Sequence, residues 1–173
     1  AIALGMDPDD PDIMKEKPRN PKESFFAQGN GAYTVLNGLL IGFITLFAFI
    51  EGLRYYTSAA SIFTIDFGNI PDDALTHAQT MAFIALSASQ LFHSLNLRNR
   101  RKSIFQTGLF NNPLLLGAIV IGLLIQALLV YVPFFHDVFG IYVIGLKDWA
   151  FVIGISLIPV IINEIYKGIR RII

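Results

Sequence analysis

The chain has 173 residues, of which 54% are hydrophobic and only 15% charged, and 13 Lys and Arg balance 13 Asp and Glu. A soluble domain usually carries about 25% charged residues, and here the apolar excess is gathered into long blocks, which indicates a membrane protein. There is no cysteine, which excludes disulfides, thiolate metal sites and thiol catalysis.

The opening AIALGMDPDDPD lacks the basic start and apolar core of a secretion signal. It begins without Met and in mid-phrase, so the chain reads as a piece of something longer. Residues 5–23, GMDPDDPDIMKEKPRNPKE, hold four of the eight prolines and a dense run of acids. Proline removes backbone donors and blocks continuous helix, so an extended polar segment is expected. Ile13 and Met14 lie between charged groups there, as in a segment docked on something.

Four apolar segments follow, expected over about 24–53, 77–97, 113–132 and 147–167. Each has about 20 residues or more, enough to cross about 30 Å of hydrocarbon at 1.5 Å per residue. Asn112 followed by Pro113 supplies an N-cap and a first-turn proline for the third. Asp72 and Asp73 after Pro71 mark the start of the second. The expected organisation is a polar segment at 1–23 followed by an all-α, four-helix transmembrane bundle over 24–173.

Orientation follows from Lys and Arg. Four precede the first span (Lys15, Lys17, Arg19, Lys22), four lie in RNRRK (Arg98, Arg100, Arg101, Lys102), and Lys167, Arg170 and Arg171 follow the last. The other two connections hold only Arg54 and Lys147, which places both termini and the 98–112 connection in the cytoplasm. RNRRK is read as this topology signal rather than as an anionic-lipid or nucleic-acid patch.

Gly38 and Gly42, with Gly31 a heptad earlier, form a small-xxx-small element that lets a neighbouring helix approach closely. Glu164 and Lys167 are spaced for a local ion pair, and Pro159 should kink the last span. Thr76, Thr80, Ser87, Gln90 and Ser94 fall within a stripe of about 80° on the second span, interrupted by Phe83, with His93 about 60° off it. Such a seam faces protein or water. It can be read as interhelical hydrogen bonding or as the edge of an ion pathway. His93 has no second ligand nearby, so no metal site is built on it. No phosphate-binding glycine loop, His-Glu-x-x-His or nucleophile elbow occurs, so neither a catalytic nor a cofactor-binding residue is assigned.

The phrases AIALGMDPDDPDIMKEKPRNPKE, TMAFIALSASQLFHSLNLRNRRKSIF, NNPLLLGAIVIGLLIQALLVYVPFF and LKDWAFVIGISLIPVIINEIYKGIRR cover nearly the whole chain. As a set they resemble the C-terminal membrane region of P-type calcium-transporting ATPases of the sarco/endoplasmic-reticulum and secretory-pathway type and their bacterial relatives. The resemblance implies helices seven to ten of a ten-helix pump, in a bacterial plasma membrane, with the remaining helices and the phosphorylation domain as partners. The intact pump would use Mg-ATP and carry Ca2+, whereas this part, lacking the nucleotide and phosphorylation domains, would be inactive alone. MDPDDPDIMKEKPR resembles the loop joining the sixth and seventh helices, which couples phosphorylation to ion release, and Asp7, Asp9, Asp10 and Asp12 form its acidic stretch. Gln90 falls where two-calcium members carry an eighth-helix glutamate ligand, so one ion per ATP is expected, with Gln90 a weak or unused ligand. Rival readings are another cation (Mn, Mg, Na or K), or a self-standing four-helix module acting as a chaperone or lipid binder. A soluble bundle is disfavoured by spans apolar on most faces.

Overall fold

The computed structural model describes residues 2–8, 24, 26, 29–59, 61–99 and 102–172, and every regular element among them is helical. A short α1 (Ile2–Gly5) precedes the long α2 (Asn30–Tyr56) and α3 (Asp72–Leu97). The connection after α3 holds α4 (Ile104–Thr107), and then come α5 (Pro113–Tyr131) and α6 (Pro133–Phe139). The last span is divided into α7 (Leu146–Ser156) and α8 (Ile158–Ile172).

Local chemistry sets these boundaries. Gly29 adopts a left-handed φ of 79° ahead of α2, so this helix starts six residues later than the apolar pattern suggested. Asn112 caps α5 as expected, its Oδ1 accepting from Leu115 N at 2.9 Å, with Pro113 in the first turn. Asp72 and Asp73 are not caps. They lie inside the first turn of α3, where negative charge meets the positive helix end. Pro159 breaks the last span as expected, and the helix is interrupted at Leu157.

Among the described residues, three helical stretches are long and apolar enough to cross a membrane: Asn30–Tyr56, Pro113–Tyr131 and Leu146–Arg170. The expected second span is present as α3, whose 26 residues reach about 39 Å, but it is too polar to qualify by hydropathy. The reason is its position. α3 packs against α2, α5, α7 and α8, and its inner face is built mostly from alanines and polar groups, with Met81 and Ile84 its large apolar members. Ala74, Ala78, Ala85 and Ala88 are fully buried, which lets the neighbours close in around it.

Consecutive long helices run antiparallel. Tyr33, early in α2, stacks on His93, late in α3, while Gly52, late in α2, meets Ala78, early in α3. The core joins Ile44 and Ala48 of α2, Met81, Ile84 and Ala85 of α3, Val130 of α5, and Val152 and Ile155 of α7.

The glycine element meets no described helix of this chain. Gly38 and Gly42 are exposed with nothing within 4 Å of a built Cβ, and Gly31 would meet only Phe26 at the chain's own preceding turn. The stripe that faces α3 is Asn37, Ile41, Ile44 and Ala48, about 100° around the helix from these glycines. Close approach occurs instead at Gly52, where a Cβ would stand 2.9 Å from Ala78 Cα.

Candidate functional site

Two regions carry the residues singled out in the sequence. The first is the outer face of α3. Gln90 is exposed, and so are Gln79, Phe83, Leu86 and Leu97. At 100° per residue these five form one stripe about 60° wide, left uncovered by any helix of this chain. The central helix of the bundle thus presents a mixed amide and apolar strip, flanked by a cavity of about 300 Å³ lined in part by Gln79, Thr80 and Phe83.

The polar seam is not assembled as expected. Thr76 and Thr80 donate to the backbone oxygens one turn earlier, each at 2.9 Å, and Ser94 donates to Leu91 O. Only Thr80 reaches another element, accepting from Tyr142 N at 2.9 Å. Interhelical hydrogen bonds are made on the opposite side, by residues the periodic pattern did not select. Asn163 Nδ2 donates to Asn37 Oδ1 at 2.6 Å, and Ser156 Oγ approaches Ala85 O at 3.3 Å. Among the described residues no group of three or more His, Asp or Glu could hold a metal ion.

The second region lies where α3 ends and α5 begins. Asp7 Oδ1 accepts from Arg98 Nε at 2.8 Å and from Asn112 Nδ2 at 3.1 Å. Arg98 Nη1 also donates to Gly108 O at 2.9 Å, and Asn112 Nδ2 to Ala3 O at 2.9 Å. The Arg98 side chain is 2% exposed and that of Asp7 is 21% exposed. The segment after α1 is therefore clasped onto two long helices through a charge-assisted pair and an amide that also caps α5. Asp9, Asp10 and Asp12 lie outside the described residues.

Beside this clasp, Glu164 of α8 pairs with Lys167 at 3.0 Å as its spacing indicated. It also accepts from Ser103 Oγ and from Ile104 N at 3.2 Å, fastening the start of α4 to α8. Arg98, Asn112 and Ser103 had been assigned only a topological role, a capping role and no role respectively. Their long-range partners leave no local sequence signal.

An all-helical bundle with membrane-spanning helices, one open strip on its central helix and a clasped leading segment defines an integral membrane domain shaped to sit beside further helices. The chain belongs to the family described as cation transporting ATPase, C-terminus, whose model matches residues 1–169. It is 48% identical over 171 residues to calcium-transporting ATPase 1 of Bacillus cereus, a match covering 99% of this chain and 19% of that protein. It is 38% identical over 159 residues to the calcium-transporting ATPase of Bacillus subtilis, with 92% of this chain and 16% of the relative covered. Human calcium-transporting ATPase type 2C member 1 is 27% identical over 172 residues, 99% of this chain and 17% of that one. The chain spans less than a fifth of the length of these relatives.

Proposed function

We propose that this chain forms the scaffold half of the membrane domain of an ATP-driven calcium pump, which moves one ion per ATP. The open strip on α3 carries the reading. It bears Gln90 and Gln79 but no acid, in a chain matched almost throughout by relatives named as calcium-transporting ATPases. Helices of the same pump outside this chain would cover the strip and supply the anionic ligands. Mg-ATP would act on domains that this chain lacks. A divalent ion stripped of water needs several oxygen ligands, and a neutral amide oxygen offsets its desolvation far less than a carboxylate does. Gln90 therefore leaves a second site under-compensated.

The clasp at Asp7 supports a coupling role for the segment that follows α1, with the phosphorylation domain as its partner. Both termini and the 98–112 connection face the cytoplasm, in a bacterial plasma membrane. Gly38 and Gly42 offer a small-residue face to a helix of the remaining pump.

The test is calcium transported per ATP hydrolysed by the intact protein in sealed vesicles. The expected ratio is near one, with Gln90→Ala changing calcium affinity only modestly. A ratio near two would refute the one-site assignment, and uptake of manganese in place of calcium would refute the ion.

A further inference from the structure

Ser89, His93 and Asn96 lie on one stripe of α3, spaced i, i+4 and i+7, about 60–120° around the helix from Gln90. Each carries a buried polar atom without a hydrogen-bond partner: Ser89 Oγ, His93 Nδ1 and Asn96 Oδ1. Ser89 and Asn96 are fully buried, so no group from outside this chain can reach them. The stripe is bracketed by two bonds to the last span, Ser156 Oγ to Ala85 O at 3.3 Å and Asn96 Nδ2 to Pro159 O at 3.4 Å.

Ser89 departs from the other helical hydroxyls of the chain. A hydroxyl inside a helix usually donates to the carbonyl one turn back, as those of Thr34, Thr45, Thr57, Thr76, Thr80 and Ser156 do here. For Ser89 that acceptor would be Ala85 O, but Ser89 Oγ makes no such bond. At the neighbouring level Asn96 Nδ2 donates to Pro159 O, and Asn96 Oδ1 receives no donor. Buried polar atoms are rarely left so, and three on one stripe call for partners that both donate and accept.

We propose that the seam between α2, α3 and α8 binds buried water, held by Ser89 Oγ, His93 Nδ1 and Asn96 Oδ1. A cation fits poorly, because no acid lies on this stripe and Lys167, 3% exposed, lies near His93. An anion fits poorly too, because the Lys167 charge is already matched by Glu164 at 3.0 Å. A small neutral molecule with two donors and two acceptors suits a serine hydroxyl, an imidazole nitrogen and an amide oxygen. It also accounts for a histidine to which no metal or ion role could be given.

The experiment is water-edited solid-state NMR on the isotopically labelled intact protein in lipid bilayers without added calcium. Magnetisation from water should reach Ser89 Cβ several-fold faster than the methyl groups of Ala85 and Ala88 on the same helix. Asn96→Leu, which replaces the amide with an apolar branch of similar size, should slow the transfer to Ser89 several-fold. Ser89→Ala, which removes one hydroxyl and keeps the helix, should preserve transfer to His93 Nδ1. Build-up at Ser89 no faster than at Ala88 would overturn the proposal. So would build-up that appears only on adding calcium or potassium, which would make the site a cation site.

Discussion

Arg98 illustrates how much can rest on one side chain. Its guanidinium serves two acceptors at once, the Asp7 carboxylate and the Gly108 carbonyl, in a fork that an ammonium group cannot reproduce. Arg98→Ala would leave Asp7 partly buried and unpaired and Gly108 O without its side-chain donor. Because Asp7 keeps some contact with water, we expect a loss of about 1–3 kcal/mol, below the range for fully buried pairs. Arg98→Lys should recover only part of it. Limited proteolysis checks this, since cleavage in the segment after Asp7 should accelerate in Arg98→Ala and less so in Arg98→Lys. Equal cleavage in all three proteins would show that the clasp does not hold the segment.

At the scale of helices, the packing of α2 on α3 turns on Gly52. Gly52→Ala places a methyl group 2.9 Å from Ala78 Cα and 3.0 Å from Met81 Sδ, so the two helices must separate. A destabilisation of about 1–3 kcal/mol is expected from such overpacking, whereas Gly42→Ala in this chain should be neutral or stabilising by about 0.5–1 kcal/mol through helix propensity. Unfolding of the chain in detergent distinguishes them, and equal effects would contradict the assignment of faces. The contrast also marks what was legible in the sequence. Helix existence, the Asn112–Pro113 start and the Pro159 break are local and were read correctly. A Gly-xxx-Gly spacing says only that a close approach is possible. Which side is approached depends on Asn37, Ile41, Ile44 and Ala48, whose partners lie on another helix. The polar seam misled for a related reason. Periodicity placed Thr76, Thr80 and Ser94 together, but each hydroxyl met its need on its own helix. The pairing of Asp7 with Arg98 spans 91 positions, beyond anything that spacing can indicate.

For the molecule as a whole, alternating helix directions and the distribution of Lys and Arg make one topological statement. Cysteines introduced at Asn69 and Asn99 should be labelled from opposite sides of the membrane. Labelling of both from one side would contradict four passes. If the segment beginning at Asp7 couples distant domains, replacing Asp9, Asp10 and Asp12 with Ala in the intact protein should slow ATP turnover and calcium transport while the bundle stays folded. Unchanged rates for both would rule that coupling out.

The interruption at Leu157 gives the last span two allegiances. Above it, α7 is fastened to α3 through Ser156 and through His77, whose Nε2 lies 3.3 Å from Asp148 Oδ2. Below it, α8 also touches α3 at Asn96 and is fastened besides to α2 through Asn163 and to the 102–112 connection through Glu164. The proline ring removes a main-chain bond between the two halves. The span therefore behaves as a jointed strut. A pull on the α4 connection is expected to bend it at the joint before it moves α7.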